Sequence, residues 1–526
     1  MDTINDLTGY KKKILSAAGI FAYFVSAAML VYSVFLSMST DIWYDELFSM
    51  EFACRDISEM IQLTAADVHP PLYYIVIHFF VFIFEKINID AVVAAKLASV
   101  VPFIILYIYG ITSVRKRFGT FTGGIFSLAV IGMPNISEYL VEIRMYSIAI
   151  FFITALCIHS LPFLEEDKDK QIRGLKWGKA APLFIYGLLA CYTQYYAAVA
   201  VFAVYLFLVV WSVRKNIMQL GILLISGNLT VICYYPWIGK VLSQVGTVSE
   251  NYWIQELTIR SLGGVVKYLM KPSFFSDKLS IVLAVLMTLL VFAVVILNIR
   301  NAKVWLMFMP ITGIVAFGFA ASMLIRPIFI YRYMLPGMGA FWLGIIIGCR
   351  NILDNDIKRS GILWRIMRAI PYAAALFMIV FSIRDYWAFR GNELYRKVNM
   401  VETKKLFAEI SDKEDAPVII CNFDHVCGLM AYYLDEKEGR DDMPVLLYGM
   451  EPEKLIMDML PKAGHIENAQ DIKNILSSGK KVLFMGSFNS REDLLKEWEN
   501  EAEIKSENKG SYLLERYWFD VFELSL

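Results

Sequence analysis

Eleven stretches of almost unbroken apolar sequence leave this chain little choice of fold class. They lie at about 14–36, 91–112, 119–136, 146–163, 180–197, 198–213, 218–238, 279–298, 304–324, 329–348 and 369–387. Each approaches the roughly 20 residues that a helix needs to cross the hydrocarbon core of a bilayer. Composition agrees. Apolar residues make up 57% of the 526 residues, charged residues only 19%, and mean hydropathy is +0.52. A purely soluble enzyme carries less of the first and more of the second. Lys+Arg and Asp+Glu number 50 each, so no charge excess points to nucleic acid as a partner. The seven cysteines are scattered, with no CxxC pair, which supports neither a disulfide framework nor a zinc site.

One further apolar run, 70–85, is too short for an ordinary span and opens with His69-Pro70-Pro71. That suits an interfacial or re-entrant helix. Basic residues decide its status. If 70–85 does not cross, one set of alternating loops holds twenty Lys and Arg and the other about ten. The richer set belongs in the cytoplasm. If 70–85 crossed, every later loop would invert and this bias would be lost. The expectation is eleven spans, N-terminus inside, C-terminus outside, in a multi-pass cell-membrane protein. The first span is too long, and lacks the small-residue site, for a cleaved signal peptide.

From about 388 the sequence becomes charged. Apolar runs at 417–422, 444–449 and 480–486 and an aromatic run at 511–523 alternate with helical patterns at 424–435, 451–460 and 490–501. This predicts a C-terminal α/β domain, 388–526, after a membrane domain, 1–387. The tail has no G-x-G-x-x-G and no P-loop.

Three segments concentrate unusual polar residues. The first runs from Asp41-Ile-Trp43-Tyr44-Asp45-Glu46 to Asp67-Val68-His69-Pro70-Pro71-Leu72-Tyr73-Tyr74. The second is Glu138-Tyr139-Leu-Val-Glu142-Ile-Arg144-Met-Tyr146, and the third contains Arg326, Tyr331, Arg332 and Tyr333. Lys96 sits near the outer end of the second span. All of these fall on one membrane side, a coincidence the span assignment did not assume. Plainer roles exist for each. Asp45 and Glu46 suit a helix N-terminus, Asp41 a solvated loop, and Pro70-Pro71 a helix start. Arg144 with Glu142 or Glu138 suits a structural ion pair, and Lys96, Arg326 and Arg332 suit snorkelling to headgroups. Yet ionisable residues at membrane depth cost about 2.5–3.5 kcal/mol each and usually serve function.

The residue types fit transfer of a sugar from a lipid phosphate. The leaving group is a phosphate, which cations stabilise without a general acid. The acceptor hydroxyl needs a carboxylate base, which Asp45 or Glu46 can supply. Adjacent helical positions point about 100° apart, so the two take separate roles. Displacement in one step inverts the anomeric centre.

These residues resemble a known family. Trp43-Tyr44-Asp45-Glu46 followed by Asp67-Val68-His69-Pro70-Pro71-Leu72-Tyr73-Tyr74 resembles the first outer loop of the protein O-mannosyltransferase-like, family 39-type glycosyltransferases of the GT-C superfamily. Lipid A aminoarabinose transferases are relatives of that family. Glu142-Ile-Arg144-Met-Tyr146 resembles its E-x-R-x-Y segment, and Lys96 stands where an Arg is usual. Cys191-Tyr192-Thr193-Gln194-Tyr195-Tyr196 resembles a T-H-Y segment with Gln194 replacing His. Arg332-Tyr333 with Pro336 resembles an R-Y-x-x-P pattern. The match covers about 40–200 well, thins to about 340, and does not reach the tail.

The resemblance implies a polytopic GT-C-like fold with interfacial helices in the first outer loop. It implies a polyprenyl-phosphate sugar donor, catalysis by Asp45 and Glu46, and substrate binding by Asp67, His69, Lys96, Glu142, Arg144, Tyr146, Gln194, Tyr195, Arg332 and Tyr333. The hydroxyl acceptor is left open between protein Ser/Thr, a glycolipid and a cell-wall polymer. Metal dependence varies within the family, so a divalent cation is left open and no metal ligand is assigned. The loop 239–280, with Asn251-Tyr252-Trp253, Lys267, Tyr268 and Lys271, is a candidate lid. The competing class is a transporter or lipid flippase. It would show paired halves with broken helices at the bilayer midplane, and no internal repeat of that kind is visible.

Overall fold

The computed structural model describes every residue except 1, 39–40, 68, 166–176, 216, 248–253, 255, 275, 355–361, 412–415 and 435–442. The tip of the candidate lid, Asn251-Tyr252-Trp253, therefore lies outside the described residues. The chain divides into two units. The first comprises Met1–Met38 and Arg55–Phe389, the second Ser39–Cys54 and Arg390–Leu526. The stretch after the first helix, up to Cys54, thus groups with the tail.

The first unit is helical and spans the membrane many times. Among the described residues nine helices are long and apolar enough to cross a bilayer: Lys13–Leu36, Ala91–Gly132, Tyr146–Phe163, Tyr195–Arg214, Ile217–Gln244, Asp277–Leu297, Ala302–Leu324, Tyr331–Asp354 and Met367–Ser411. Two of the expected spans fall within Ala91–Gly132, a 42-residue run. Gly119 breaks it with φ 89°, a left-handed conformation that a side chain would resist. Another expected span, 180–197, is the shorter helix Gly178–Cys191. The chain turns at Tyr192–Gln194 and resumes at Tyr195, so Gln194 sits in a helix junction rather than inside a span. The run Leu72–Glu85 is a helix of 14 residues, too short for an upright span.

Burial sorts the helices. Tyr146–Phe163 and Tyr331–Asp354 are each 83% buried and form the interior. Others present large apolar side chains outward, among them Phe24, Phe202, Phe292 and Leu324. In water such a surface would drive aggregation; against lipid it is the expected exterior. Close packing of Asp2–Leu36 on Arg115–Gly132 depends on small residues. A Cβ on Gly124 would stand 2.0 Å from the Gly19 carbonyl oxygen, so the two backbones touch. Membrane helices associate this way because lipid supplies no hydrophobic force between them.

The second unit carries a six-stranded sheet of order β3-β2-β1-β4-β6-β5. The strands are β1 (Val418–Cys421), β2 (Val445–Tyr448), β3 (Ala463–Ile466), β4 (Val482–Ser487), β5 (Lys505–Leu514) and β6 (Tyr517–Ser525). β1 to β4 are parallel. β6 runs antiparallel to β4, and β5 antiparallel to β6. The aromatic run at 511–523 is this final hairpin. Strand β3 has no counterpart among the sequence expectations. The core gathers Ile420, Ile472, Phe484, Trp498 and Phe522, with Phe484 and Trp498 rings 4.7 Å apart. The strand order reverses direction between β1 and β4, which makes their carboxyl ends the topological switch point where open α/β sheets usually bind ligands. Helix Asp424–Tyr432 leaves β1 there and packs on helix Tyr44–Ala53. A Cβ on its Gly428 would lie 3.2 Å from the Tyr44 ring.

Candidate active site

In the second unit, Trp43 is extended and caps helix Tyr44–Ala53. Glu46, three residues on, reaches back so that its Oε2 accepts from the Trp43 amide at 3.0 Å. This is the carboxylate half of a capping box. Glu46 is thereby buried and held, whereas Asp45 is only half-buried. The difference separates two residues that adjacency alone could not. Asp41 departs from the expected solvated loop acid. It is buried and pairs with Lys404 Nζ at 2.5 Å, since a carboxylate taken from water needs a counter-charge.

In the first unit, the predicted residues fall into three groups. Asp67 and His69 pair through Oδ2 and Nδ1 at 2.8 Å. The E-x-R-x-Y segment follows a single 3-10 turn, Ser137–Leu140. Within it the Arg144 amide donates to the Glu142 carbonyl at 2.8 Å, and Ser99 Oγ donates to the same carbonyl at 2.7 Å. Ser99 lies one turn beyond Lys96 on helix Ala91–Tyr109. The two segments are therefore tied together.

Glu142 and Arg144 are each 5% exposed, and Lys96 is 4% exposed. Among the described residues no acceptor or carboxylate pairs with the Lys96 ammonium, although burial of an ammonium is costly without a partner. Tyr139 packs edge-on to Tyr146 at 4.9 Å. Burial, with Tyr268, Glu142, Tyr146 and Glu138 around it, holds the Tyr139 phenol well above its ordinary pKa. Tyr268 belongs to helix Ile259–Met270, the described part of the candidate lid. Its carbonyl accepts from Asn135 Nδ2 at 2.5 Å, so this helix docks beside the E-x-R-x-Y segment.

The third group centres on the junction 192–196. The Leu72 amide donates to the Tyr192 carbonyl at 3.1 Å. Tyr195 Oη donates to Gln244 Oε1 at 2.5 Å and accepts from Trp237 Nε1 at 3.2 Å. Gln244 Nε2 in turn donates to the carbonyls of Thr64 and Ala65. Tyr196 stacks on Tyr333 at 4.6 Å. The T-Q-Y segment thus joins the helix before Asp67 to the R-Y segment, and Gln244 is the link that sequence reasoning missed. Gln194 is buried, and its Oε1 has no hydrogen-bond partner among the described residues. Arg332 is half-buried beside Tyr333. Among the described residues no group of three or more His, Cys, Asp or Glu is placed to hold a metal. An apolar groove of ≈ 400 Å³, lined by Phe202, Tyr205, Leu223 and Tyr234 among others, runs between helices Tyr195–Lys215 and Ile217–Thr247 and reaches the junction, where Tyr234 packs edge-on to Tyr192 at 5.0 Å.

The chain is similar in fold to ArnT from Cupriavidus metallidurans. Against ArnT in the apo state the TM-score is 0.55 at 13% identity, over 96% of this chain and 97% of that one. Against ArnT bound to undecaprenyl phosphate it is 0.54 at 12% identity, over 99% and 98%. Likeness at this identity establishes the fold alone, that of ArnT: a polytopic helical bundle followed by a C-terminal α/β domain. The oligosaccharyltransferase AglB from Archaeoglobus fulgidus aligns at a TM-score of 0.42 and 8% identity over 88% of this chain and 69% of that one, too weakly to bear on the argument. No protein-family model matches the sequence, and no curated protein does.

Proposed function

We propose that the protein is an inverting glycosyltransferase. It moves a sugar from a polyprenyl-phosphate donor to a hydroxyl acceptor at the outer face of the membrane. The observation that carries this reading is Lys96, a buried side chain whose ammonium has no counter-ion among the described residues, tied through Ser99 to the Glu142–Arg144 turn. Such a cation calls for an anion from outside the chain, and the phosphate diester of a lipid-linked sugar supplies one. One solved structure of ArnT, which has this fold, is bound to undecaprenyl phosphate.

In the reaction the acceptor oxygen attacks the anomeric carbon. The bond from that carbon to the phosphate oxygen breaks, and polyprenyl monophosphate leaves with the electron pair. Asp45 takes the acceptor proton. Glu46, engaged with the Trp43 amide, fixes the helix that presents Asp45. Lys96 and Arg144 stabilise charge that grows on the leaving phosphate. Asp67, His69, Glu142, Tyr146, Gln194, Tyr195, Arg332 and Tyr333 shape the sugar and acceptor positions.

The test is turnover by the full-length protein in phospholipid vesicles. The donors are undecaprenyl-phosphate mannose, glucose and aminoarabinose, each given with a membrane extract as the source of hydroxyl acceptors, and the readouts are free undecaprenyl phosphate and labelled sugar on the acceptor. Turnover lost in Asp45→Asn supports the reading. Full turnover in Asp45→Asn removes the mechanism, and donor crossing the bilayer unchanged in chemistry favours a flippase.

A further inference from the structure

Four consecutive residues lead into the acid pair, and each is gripped by a different residue of the C-terminal domain. Asp41 pairs with Lys404 Nζ at 2.5 Å. The Ile42 amide donates to Tyr433 Oη at 2.9 Å. The Trp43 ring lies under the Arg516 guanidinium at 4.0 Å. The Tyr44 ring stacks on the His425 imidazole at 3.9 Å and 7°. The next residue is Asp45. We infer that the C-terminal domain is a working part of the transfer site, with His425 as the positioning residue for Asp45; this rests on the function proposed above.

The grip on Tyr44 comes from the sheet's switch point. Asn422 follows β1 and bridges to the end of β4. Its Nδ2 donates to the Ser487 carbonyl at 2.9 Å and to Ser490 Oγ at 3.1 Å, and its Oδ1 accepts from the Ser487 amide at 2.7 Å. Phe423 packs on Phe488 and Tyr517, each at 4.9 Å. His425 then lies between Tyr44 on one side and Phe423 at 4.7 Å on the other, with Tyr517 edge-on at 5.1 Å. Three rings fix the plane of the imidazole. The crevice that an open α/β sheet normally offers to a ligand here holds the loop that bears the proposed base.

The chemistry of the ring suits that task. His425 Nδ1 is buried without a hydrogen-bond partner among the described residues. Burial lowers the His425 pKa, against the opposing pull of Asp424 and Asp45. The ring is therefore neutral near neutral pH. A neutral ring supports Tyr44 without becoming a cation beside Asp45, which would weaken Asp45 as a base.

The test compares His425→Ala, His425→Phe and Tyr44→Leu with Lys473→Ala, a surface change on helix Ala469–Ser477. All are full-length proteins in vesicles, given the donor that the wild type turns over. His425→Ala is expected to lower kcat about a hundredfold with KM for the donor unchanged, the scale set by misplacement of a reacting group. His425→Phe keeps a flat ring and is expected to recover to within roughly tenfold of wild type. Tyr44→Leu combined with His425→Ala is expected to be no worse than either alone, because both remove one contact. Hydrogen exchange over residues 41–47 should quicken in His425→Ala and stay unchanged in Lys473→Ala. Wild-type kcat in His425→Ala, or unchanged exchange over 41–47, overturns the inference. Equal losses in His425→Phe and His425→Ala overturn the stacking role. If Asp45→Asn is dead while His425→Ala is fully active, only this inference fails. If Asp45→Asn is active, the transfer reading itself fails.

Discussion

Glu142, in a turn between helices, and Asp45, in the first turn of helix Tyr44–Ala53, are both candidate-site carboxylates, yet the chain supports them in different ways. Glu142 stands in a turn braced by near neighbours. The turn closes on itself through the Arg144 amide, one serine from helix Ala91–Tyr109 anchors the Glu142 carbonyl, and Tyr139 and Tyr146 pack beside it. Asp45 stands on a helix whose lead-in is held by Lys404, Tyr433, Arg516 and His425. These partners lie some hundreds of residues away in sequence. The first arrangement travels as a local motif. The second requires a folded domain to be in place, so a change far along the chain reaches the proposed base.

The largest effect that would break this comparison comes from the acid pair. Asp45→Asn is expected to cut turnover about a thousandfold, the scale of a lost general base. Glu46→Gln is expected to cost much less, because a glutamine oxygen can still accept from the Trp43 amide. Equal and complete loss in both, with the helix intact, would place proton transfer on Glu46. On the other side of the comparison, Lys96→Met is expected to raise KM for the lipid donor about tenfold or more while the protein inserts and folds normally. An unchanged KM with the same donor would leave Lys96 a packing residue and remove the main support for a phosphate site.

The sequence displayed the first kind of support far better than the second. Apolar runs near twenty residues mark a bilayer crossing almost regardless of context. Alternating apolar runs marked β1, β2 and β4 for the same reason, that a buried strand must be apolar. Strand β3 escaped because Ala463–Ile466 is short and contains Gly464 and His465. The junction at Tyr192–Gln194 escaped because Thr193 and Gln194 are too brief a polar break to end an apolar run, and only the backbone turn separates the two helices. Asp41 looked like a solvated acid because its counter-charge, Lys404, lies on the far helix Ile362–Ser411. The candidate carboxylates were visible as a motif, but what separates Asp45 from Glu46 is a backbone hydrogen bond. What holds both is a set of contacts across long sequence distance, and no local pattern records them.

The smallest effect separates the two regions by acidity. His425 is pushed toward the neutral form by burial, so its folded pKa lies below the ordinary histidine value of about 6.5. Below that value the unfolded chain takes up a proton that the folded domain resists. Stability of the C-terminal domain should therefore hold above about pH 6.5 and decline as pH falls toward the folded pKa. His425→Phe keeps the stack and removes the titration, so its melting temperature should fall less than that of wild type between pH 7 and 5.5. The Glu142 turn has no histidine in it, and the protection of amides 137–146, taken relative to their intrinsic exchange rates at each pH, should not change across that pH range. Parallel melting curves for wild type and His425→Phe would mean that His425 does not titrate as argued, and protection at 137–146 that follows pH as it does at 41–47 would mean that the two regions are not supported independently.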